Sequence, residues 1–115
     1  MAVINKDQFL QNFHFFDSEV VVEIIDIFID EYPNRMQTLK NNVDNLDFDQ
    51  LRFNAHSIKG VIANFVAPEA QELARSLELK GANKEDNDLN QLYADLEEKT
   101  GEMLEELKVL KKNFE

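Results

Sequence analysis

The side chains best suited to chemistry in this sequence surround His56 on one face of a predicted helix. At about 100° per residue, this face carries, in chain order, Arg52, His56, Lys59, Gly60 and Ala63. A neutral imidazole is a nucleophile near pH 7, because its unperturbed pKa is about 6.5. The ammonium group of Lys59 is a mobile point charge that suits phosphate oxygens. The face therefore predicts phosphate chemistry, with His56 as the nucleophile.

The other members of this face fit the same chemistry. Gly60 has no side chain and leaves room beside the imidazole, although a mid-helix glycine costs about 1 kcal/mol relative to alanine. Ala63 has only a small side chain, so little projects from the next turn of the helix. Arg52 adds positive charge for a phosphoryl group. Each residue also has an ordinary explanation, since a helical histidine is usually a surface residue and a helical glycine is often a packing contact. The combination favours the chemical interpretation.

The sequence leaves two interpretations open for one aromatic ring near this face. Phe53 lies beside His56 on the helical wheel, where it either joins a docking surface for a partner or packs beneath the first helix. Ala63 is the second candidate for such a docking surface. His14, near the end of the first helix, is interpreted as an ordinary surface residue.

The helix that carries His56 needs an apolar seam on its opposite side. Spacings of four and three residues alternate along that seam, which consists of Leu51, Ala55, Ile58, Ile62 and Phe65. This pattern is typical of a bundle helix. Because Ala55 belongs to the seam, its neighbour His56 is predicted to point toward solvent.

Two helices are predicted before this one. A short first helix is predicted to begin after Asn5, which resembles a capping box together with Gln8 three residues later. A long second helix spans roughly residues 19–42 and contains Pro33. Proline lacks an N–H group and crowds the preceding turn, so a kink is expected there.

Two further helices are predicted after it. One begins at Pro68 and ends at Gly81 as a glycine stop, and the last spans roughly residues 87–112. Long amphipathic helices with short connections favour an antiparallel bundle. The predicted fold is all-α, an antiparallel up-down four-helix bundle with a short extra N-terminal helix, in one domain over residues 1–115.

Composition excludes several function classes. The 115 residues include 23 acidic and 12 basic side chains, for a formal net charge of −11, so nucleic acids and anionic membranes are repelled. The absence of cysteine excludes thiolate chemistry, and two histidines are few for a metal site. No apolar run is long enough to span or insert into a membrane, and no signal-peptide pattern is present. A cytoplasmic protein is predicted.

The sequence from Ala55 to Gly60, Ala-His-Ser-Ile-Lys-Gly, closely resembles the pattern of the histidine-containing phosphotransfer (Hpt) domain family. Further matching positions are Asn64, Ala67, Leu73, Leu77 and Glu78, together with residues 28–33. The resemblance covers roughly residues 4–110. It implies that His56 is phosphorylated through Nε2, that Lys59 stabilises the phosphoryl group and that Gly60 gives it room. Asn64 and Glu78 match positions that look structural rather than chemical.

The sequence departs from the family pattern at Val66, where the family commonly has glycine. The left-handed backbone conformation that glycine adopts at such a turn is unfavourable for a β-branched residue. A locally different turn is therefore expected after the third helix, about three turns away from His56.

The resemblance implies a phosphocarrier that exchanges a phosphoryl group with receiver domains of hybrid histidine kinases and response regulators. The sequence has no GxxxxGK[ST] phosphate loop, so no kinase activity of its own is expected. Phosphoryl transfer depends mainly on positioning and charge neutralisation. No cofactor is predicted for this chain, and the receiver is expected to bring the magnesium ion and the aspartate.

Two alternatives to a carrier need no reactive histidine. A helical adaptor would dock on receiver domains without transferring a phosphoryl group. A bundle enzyme with a carboxylate-bound metal would use inward-facing Glu-x-x-His pairs. Neither histidine fits that second pattern, since position 53 is Phe and position 11 is Gln.

Overall fold

Helices make up most of residues 2–115, the part of the chain that the computed structural model describes. In chain order they are α1 (Lys6–Phe13), α2 (Ser18–Asp44), α3 (Phe48–Ala63), α4 (Pro68–Asn83) and α5 (Leu89–Lys111). No β-strand occurs in this part of the chain. The prediction of an all-α fold is confirmed.

The four long helices form an antiparallel bundle, and each packs against two neighbours in the cyclic order α2, α3, α4, α5. Between α2 and α5, Asp26 pairs with Lys111 at 2.7 Å and Tyr32 bonds Thr100 at 2.7 Å. Residue numbers therefore rise along one helix as they fall along the other. The hydrogen bonds between α2 and α3 show the same antiparallel order.

The predicted apolar seam of α3 lies in the core of the bundle. Its five members are each at most 1% exposed: Leu51, Ala55, Ile58, Ile62 and Phe65. Burial of apolar surface contributes about 25 cal/mol per Å², so the rotation of α3 about its own axis is strongly determined. The opposite face, with His56, is consequently turned to solvent.

A cluster of phenylalanines attaches α1 to one end of the bundle. The ring centroids of Phe9 and Phe13 are 4.8 Å apart, and Phe65 lies 6.3 Å from Phe9 and 5.3 Å from Phe28. Aromatic pairs at such distances add roughly 0.5–1.5 kcal/mol beyond their buried area. The short N-terminal helix is therefore held beside the C-terminal end of α3.

Gly81 does not end α4, which corrects the sequence-based expectation. The helix continues to Asn83, and Lys84 takes the left-handed conformation, with φ of 54°. A Cβ atom on Gly81 would lie 2.7 Å from the backbone nitrogen of Arg52 and 2.9 Å from the carbonyl oxygen of Phe48. Gly81 is needed because α3 and α4 approach closely here, and that approach brings α4 side chains against the His56 face.

The expectation that Val66 avoids the left-handed conformation after α3 is wrong. Val66 adopts the left-handed conformation with φ of 58°, although such a conformation costs about 1–3 kcal/mol for a non-glycine residue. Its carbonyl oxygen accepts a hydrogen bond of 2.8 Å from the backbone N–H of Asn5. The strained turn therefore also ties down the chain before α1.

Pro33 lies within α2, and the helix continues past it from Ser18 to Asp44. The observed limits of α2 and α5 are close to those predicted from the sequence. Among the helices of residues 2–115, none has the length and apolar character needed to cross a bilayer.

Candidate functional site

His56 projects from the middle of α3 into solvent. Its side chain is 67% exposed, whereas the adjacent Ala55 is fully buried. This contrast follows from helical geometry, because consecutive side chains point about 100° apart. A protein partner can therefore reach the imidazole without any movement of the bundle.

Glu78 on α4 orients the imidazole of His56. Its Oε2 lies 2.7 Å from Nδ1 of the ring. An ionised carboxylate only accepts hydrogen bonds, so this contact assigns the ring proton to Nδ1. Nε2 then holds the free lone pair, and within residues 2–115 it makes no hydrogen bond. The arrangement leaves the outer nitrogen ready to act as a nucleophile.

The same carboxylate also binds Lys59. Nζ of Lys59 lies 2.6 Å from Oε1 of Glu78, and the two side chains are only 25% and 19% exposed. Burial works against the ionised form of Glu78, but hydrogen bonds from Lys59 and His56 outweigh it and lower its pKa below the ordinary value. Glu78 is therefore a carboxylate at neutral pH.

Sequence reasoning assigned Glu78 a structural part only, and the structure places it in direct contact with His56 and Lys59. Because α3 and α4 are antiparallel, residues far apart in sequence meet across their interface. The close approach at Gly81, three residues after Glu78, sets the register of that meeting. In the sequence, Glu78 and Gly81 are three residues apart and therefore lie on one face of a helix. This spacing was the pattern from which a contact of Glu78 with α3 could have been predicted.

Gly60 has open space where a side chain would be. Within residues 2–115, a methyl group at this position would meet no atom of another element within 4 Å. Close packing therefore does not account for this glycine, in contrast to Gly81. Ala63, one turn further along α3, is also exposed, so the helix surface beyond His56 is free of large side chains.

An open cavity of about 450 Å³ lies on the other side of His56, toward the start of α3. It is lined by Asp49, Arg52, Phe53, His56 and Glu78. The ring of Phe53 is 68% exposed, so Phe53 does not pack beneath α1, and of the two interpretations left open only the surface position remains. Arg52 is exposed as well and shares this cavity with the imidazole.

A second surface cavity, of about 360 Å³, lies beyond Ala63. It is lined by Asn12, Phe13, Phe16, Ile24, Ala63 and Asn64. Phe16 is 50% exposed, and the adjacent Phe15 is 90% exposed. Single exposed apolar side chains are common, but neighbouring ones that are exposed together are typical of an interaction surface. Exposed aromatic rings therefore lie on both sides of His56 along α3.

His14 is separate from this site. It follows α1, where its exposed ring contacts the ring of Phe15 at a centroid distance of 5.1 Å. Among residues 2–115, no three His, Cys, Asp or Glu side chains are grouped as metal ligands. His14 thus offers a natural control for experiments on His56.

The family model of the Hpt domain matches residues 23–110, which include α3 and α4 with His56, Lys59, Gly60 and Glu78. Neither the curated proteins nor the solved structures contain a match to this chain.

Proposed function

This chain belongs to the Hpt domain family, and on that premise we propose that it is a phosphorelay carrier of two-component signalling. It accepts a phosphoryl group on Nε2 of His56 from the aspartyl phosphate of one receiver domain and passes it to the aspartate of another. The single observation that supports this most strongly is the exposed imidazole, whose Nδ1 is hydrogen-bonded to Glu78 at 2.7 Å while Nε2 has no partner among residues 2–115.

In the loading step, the lone pair of Nε2 attacks phosphorus. The bond between phosphorus and the aspartyl oxygen breaks, and its electron pair returns to the receiver's carboxylate. The ring then carries the phosphoryl group on Nε2, keeps its proton on Nδ1 and is positively charged. Glu78 accepts the Nδ1–H hydrogen bond throughout, and its negative charge stabilises the charged ring. Transfer to the second receiver reverses these steps.

Lys59 and Gly60 have distinct parts in this proposal. Lys59 neutralises Glu78 at 2.6 Å, so that the carboxylate does not repel an incoming phosphoryl group. Gly60 leaves the surface beside the ring open, so that the receiver can bring its aspartyl phosphate within bonding distance. Proximity and orientation of this kind lower the barrier of a transfer reaction substantially.

The receiver supplies the rest of the machinery. Phosphoryl transfer requires charge neutralisation at the moving group, and we assign the magnesium ion and the acceptor aspartate to the receiver rather than to this chain. The chain then serves as a phosphocarrier and not as a kinase. Receivers of hybrid histidine kinases and of response regulators are the proposed partners, and we propose a cytoplasmic location for the carrier.

Exposed apolar side chains around His56 support a docking surface for the receiver. Phe53 is 68% exposed on one side of the imidazole, and Phe16 is 50% exposed near Ala63 on the other. Aromatic side chains are enriched among residues that dominate protein interfaces. A receiver that covers both sides would hold its active site directly over His56.

The test is phosphoryl transfer from a purified, phosphorylated receiver in the presence of Mg²⁺. The wild-type chain should acquire an acid-labile label, His56→Gln should acquire none, and His14→Gln should be labelled like the wild type. A label that persists in His56→Gln would contradict the assigned site. Receiver binding without any transfer near neutral pH would instead support a non-transferring adaptor.

A further inference from the structure

We propose that Arg52, rather than Lys59, is the cation that binds the oxygens of the phosphoryl group on His56. This inference rests on the proposed function and assigns a residue to it. Arg52 then acts directly on the phosphoryl group, whereas Lys59 is a positioning residue that acts through Glu78.

Lys59 already has a partner before any phosphoryl group arrives. Its Nζ lies 2.6 Å from Glu78 Oε1, with both side chains largely withdrawn from solvent. The positive charge of Lys59 and the negative charge of Glu78 cancel. A phosphoryl group adds negative charge to His56, and this pair offers no net positive charge to balance it.

Arg52, unlike Lys59, has no charged partner among residues 2–115. Within residues 2–115 its guanidinium makes no ion pair and no side-chain hydrogen bond. Arg52 lies four residues before His56 on the same face of α3, a spacing that puts Cβ atoms about 5–6 Å apart. Its backbone is held against α4, since a Cβ atom on Gly81 would lie 2.7 Å from its nitrogen.

The direction of the imidazole favours Arg52 further. Helical side chains lean toward the N-terminal end of their helix, and for His56 that direction leads to the turn that holds Arg52. The cavity beside the ring is lined by Arg52 and Phe53, and Lys59 is not among its lining residues. A phosphoryl group on the outer nitrogen would therefore enter the space that Arg52 borders.

The other charged group at the start of α3 increases the need for a cation beside the phosphoryl group. Asp49 lines it at the far end, one turn before Arg52, and its carboxylate would repel a phosphoryl group. Arg52 lies between Asp49 and His56 along the helix and can shield the one charge from the other. A guanidinium also offers a planar pair of donors that matches two phosphate oxygens.

The test loads the chain with the small donor phosphoramidate and follows the phosphoryl group by ³¹P NMR as pH is varied. A nearby cation lowers the pKa of the phosphoryl group, so Arg52→Gln should raise the titration midpoint by about half a pH unit, as expected for one charge several ångströms away in a watery setting. Arg52→Lys should retain much of the wild-type midpoint. Circular dichroism checks that each variant is folded.

Two controls separate Arg52 from other charges. Lys108→Gln makes the same change in net charge on α5, where Lys108 pairs with Glu105 at 3.3 Å, and should leave the midpoint unchanged. The double variant Lys59→Gln/Glu78→Gln removes both charges of the neutral pair together with the acceptor of the Nδ1–H hydrogen bond, so its midpoint should not rise. Loading lost in Arg52→Gln but kept in Lys108→Gln would likewise support the assignment.

The inference is overturned if Arg52→Gln titrates like Lys108→Gln, or if the double variant raises the midpoint as far as Arg52→Gln does. Either result, with the wild-type chain loaded normally on His56, leaves the carrier function intact. A wild-type chain that takes no phosphoryl group on His56 would instead contradict the carrier function and, with it, the role of Arg52.

Discussion

Glu78 holds Nδ1 of His56 at 2.7 Å from across the interface between α3 and α4. The nucleophile thus belongs to one helix and its orienting group to another. Because the carboxylate also binds Lys59 at 2.6 Å, a single side chain sets the proton position of the imidazole and the location of the Lys59 ammonium group. The reactivity of His56 therefore depends on the packing of α4 against α3.

Removing the Glu78 carboxylate should redistribute the proton of the imidazole. In Glu78→Ala we expect both neutral tautomers of His56, whereas the wild type should hold the proton on Nδ1. The transfer rate should fall about tenfold, the equivalent of one charge-assisted hydrogen bond at a partly exposed site. Nitrogen-15 NMR of the imidazole reports the tautomer directly. Glu69→Ala, on the outer surface of α4, is the control, and an unchanged tautomer in Glu78→Ala would contradict the orienting role.

Stability should depend on pH through Glu78. Its pKa is lowered in the folded chain, as hydrogen bonds from Lys59 and His56 outweigh the effect of burial. A lowered pKa stabilises the fold above the ordinary glutamate pKa, and that contribution is lost as pH falls through the folded value. Urea unfolding of the wild type and of Glu78→Gln should therefore differ most near pH 7 and converge toward pH 3. A difference in unfolding free energy that does not vary with pH would contradict the ionic role of Glu78.

Gly60 and Gly101 are matched glycines whose alanine variants should differ in function only. In the described part of the chain, a methyl group at either position would meet no atom of another element within 4 Å, so each substitution should raise stability by about 0.5–1 kcal/mol. Only Gly60→Ala should slow transfer from a receiver, because the added methyl group narrows the approach to His56. Thermal unfolding and transfer kinetics test the two effects separately. Equal transfer rates in both variants would show that Gly60 is not needed for access.

Phe53 should contribute to receiver binding but not to folding. Its ring is 68% exposed beside His56, and Val109 is similarly exposed, at 64%, on α5, which packs mainly against α2 and α4. Phe53→Ala should weaken receiver binding about fivefold or more, as expected for an aromatic interface residue, with stability unchanged within about 0.5 kcal/mol. Val109→Ala should leave binding unchanged. Calorimetric titration measures both, and equal affinities would place the docking surface elsewhere.

The sequence predicted the features that depend on helical periodicity. The spacing from Leu51 to Phe65 determined which side of α3 is buried, and this in turn determined that His56 faces solvent. Helical phase is a local property set by the repeat of 3.6 residues per turn, so neighbouring residues suffice to predict it. The all-α class and the approximate limits of the helices followed from the same patterns.

The contacts between helices were decided only by the tertiary structure. Glu78 lies 22 residues from His56 in sequence, and Gly81 was expected to end a helix rather than to let two helices meet. Side chains on different helices come together according to the axial register of the helices, which depends on the close packing of whole surfaces and not on any local repeat. For this reason the sequence alone determined where the nucleophile points, whereas the packing of α4 on α3 decided which carboxylate holds it and which cation is left free.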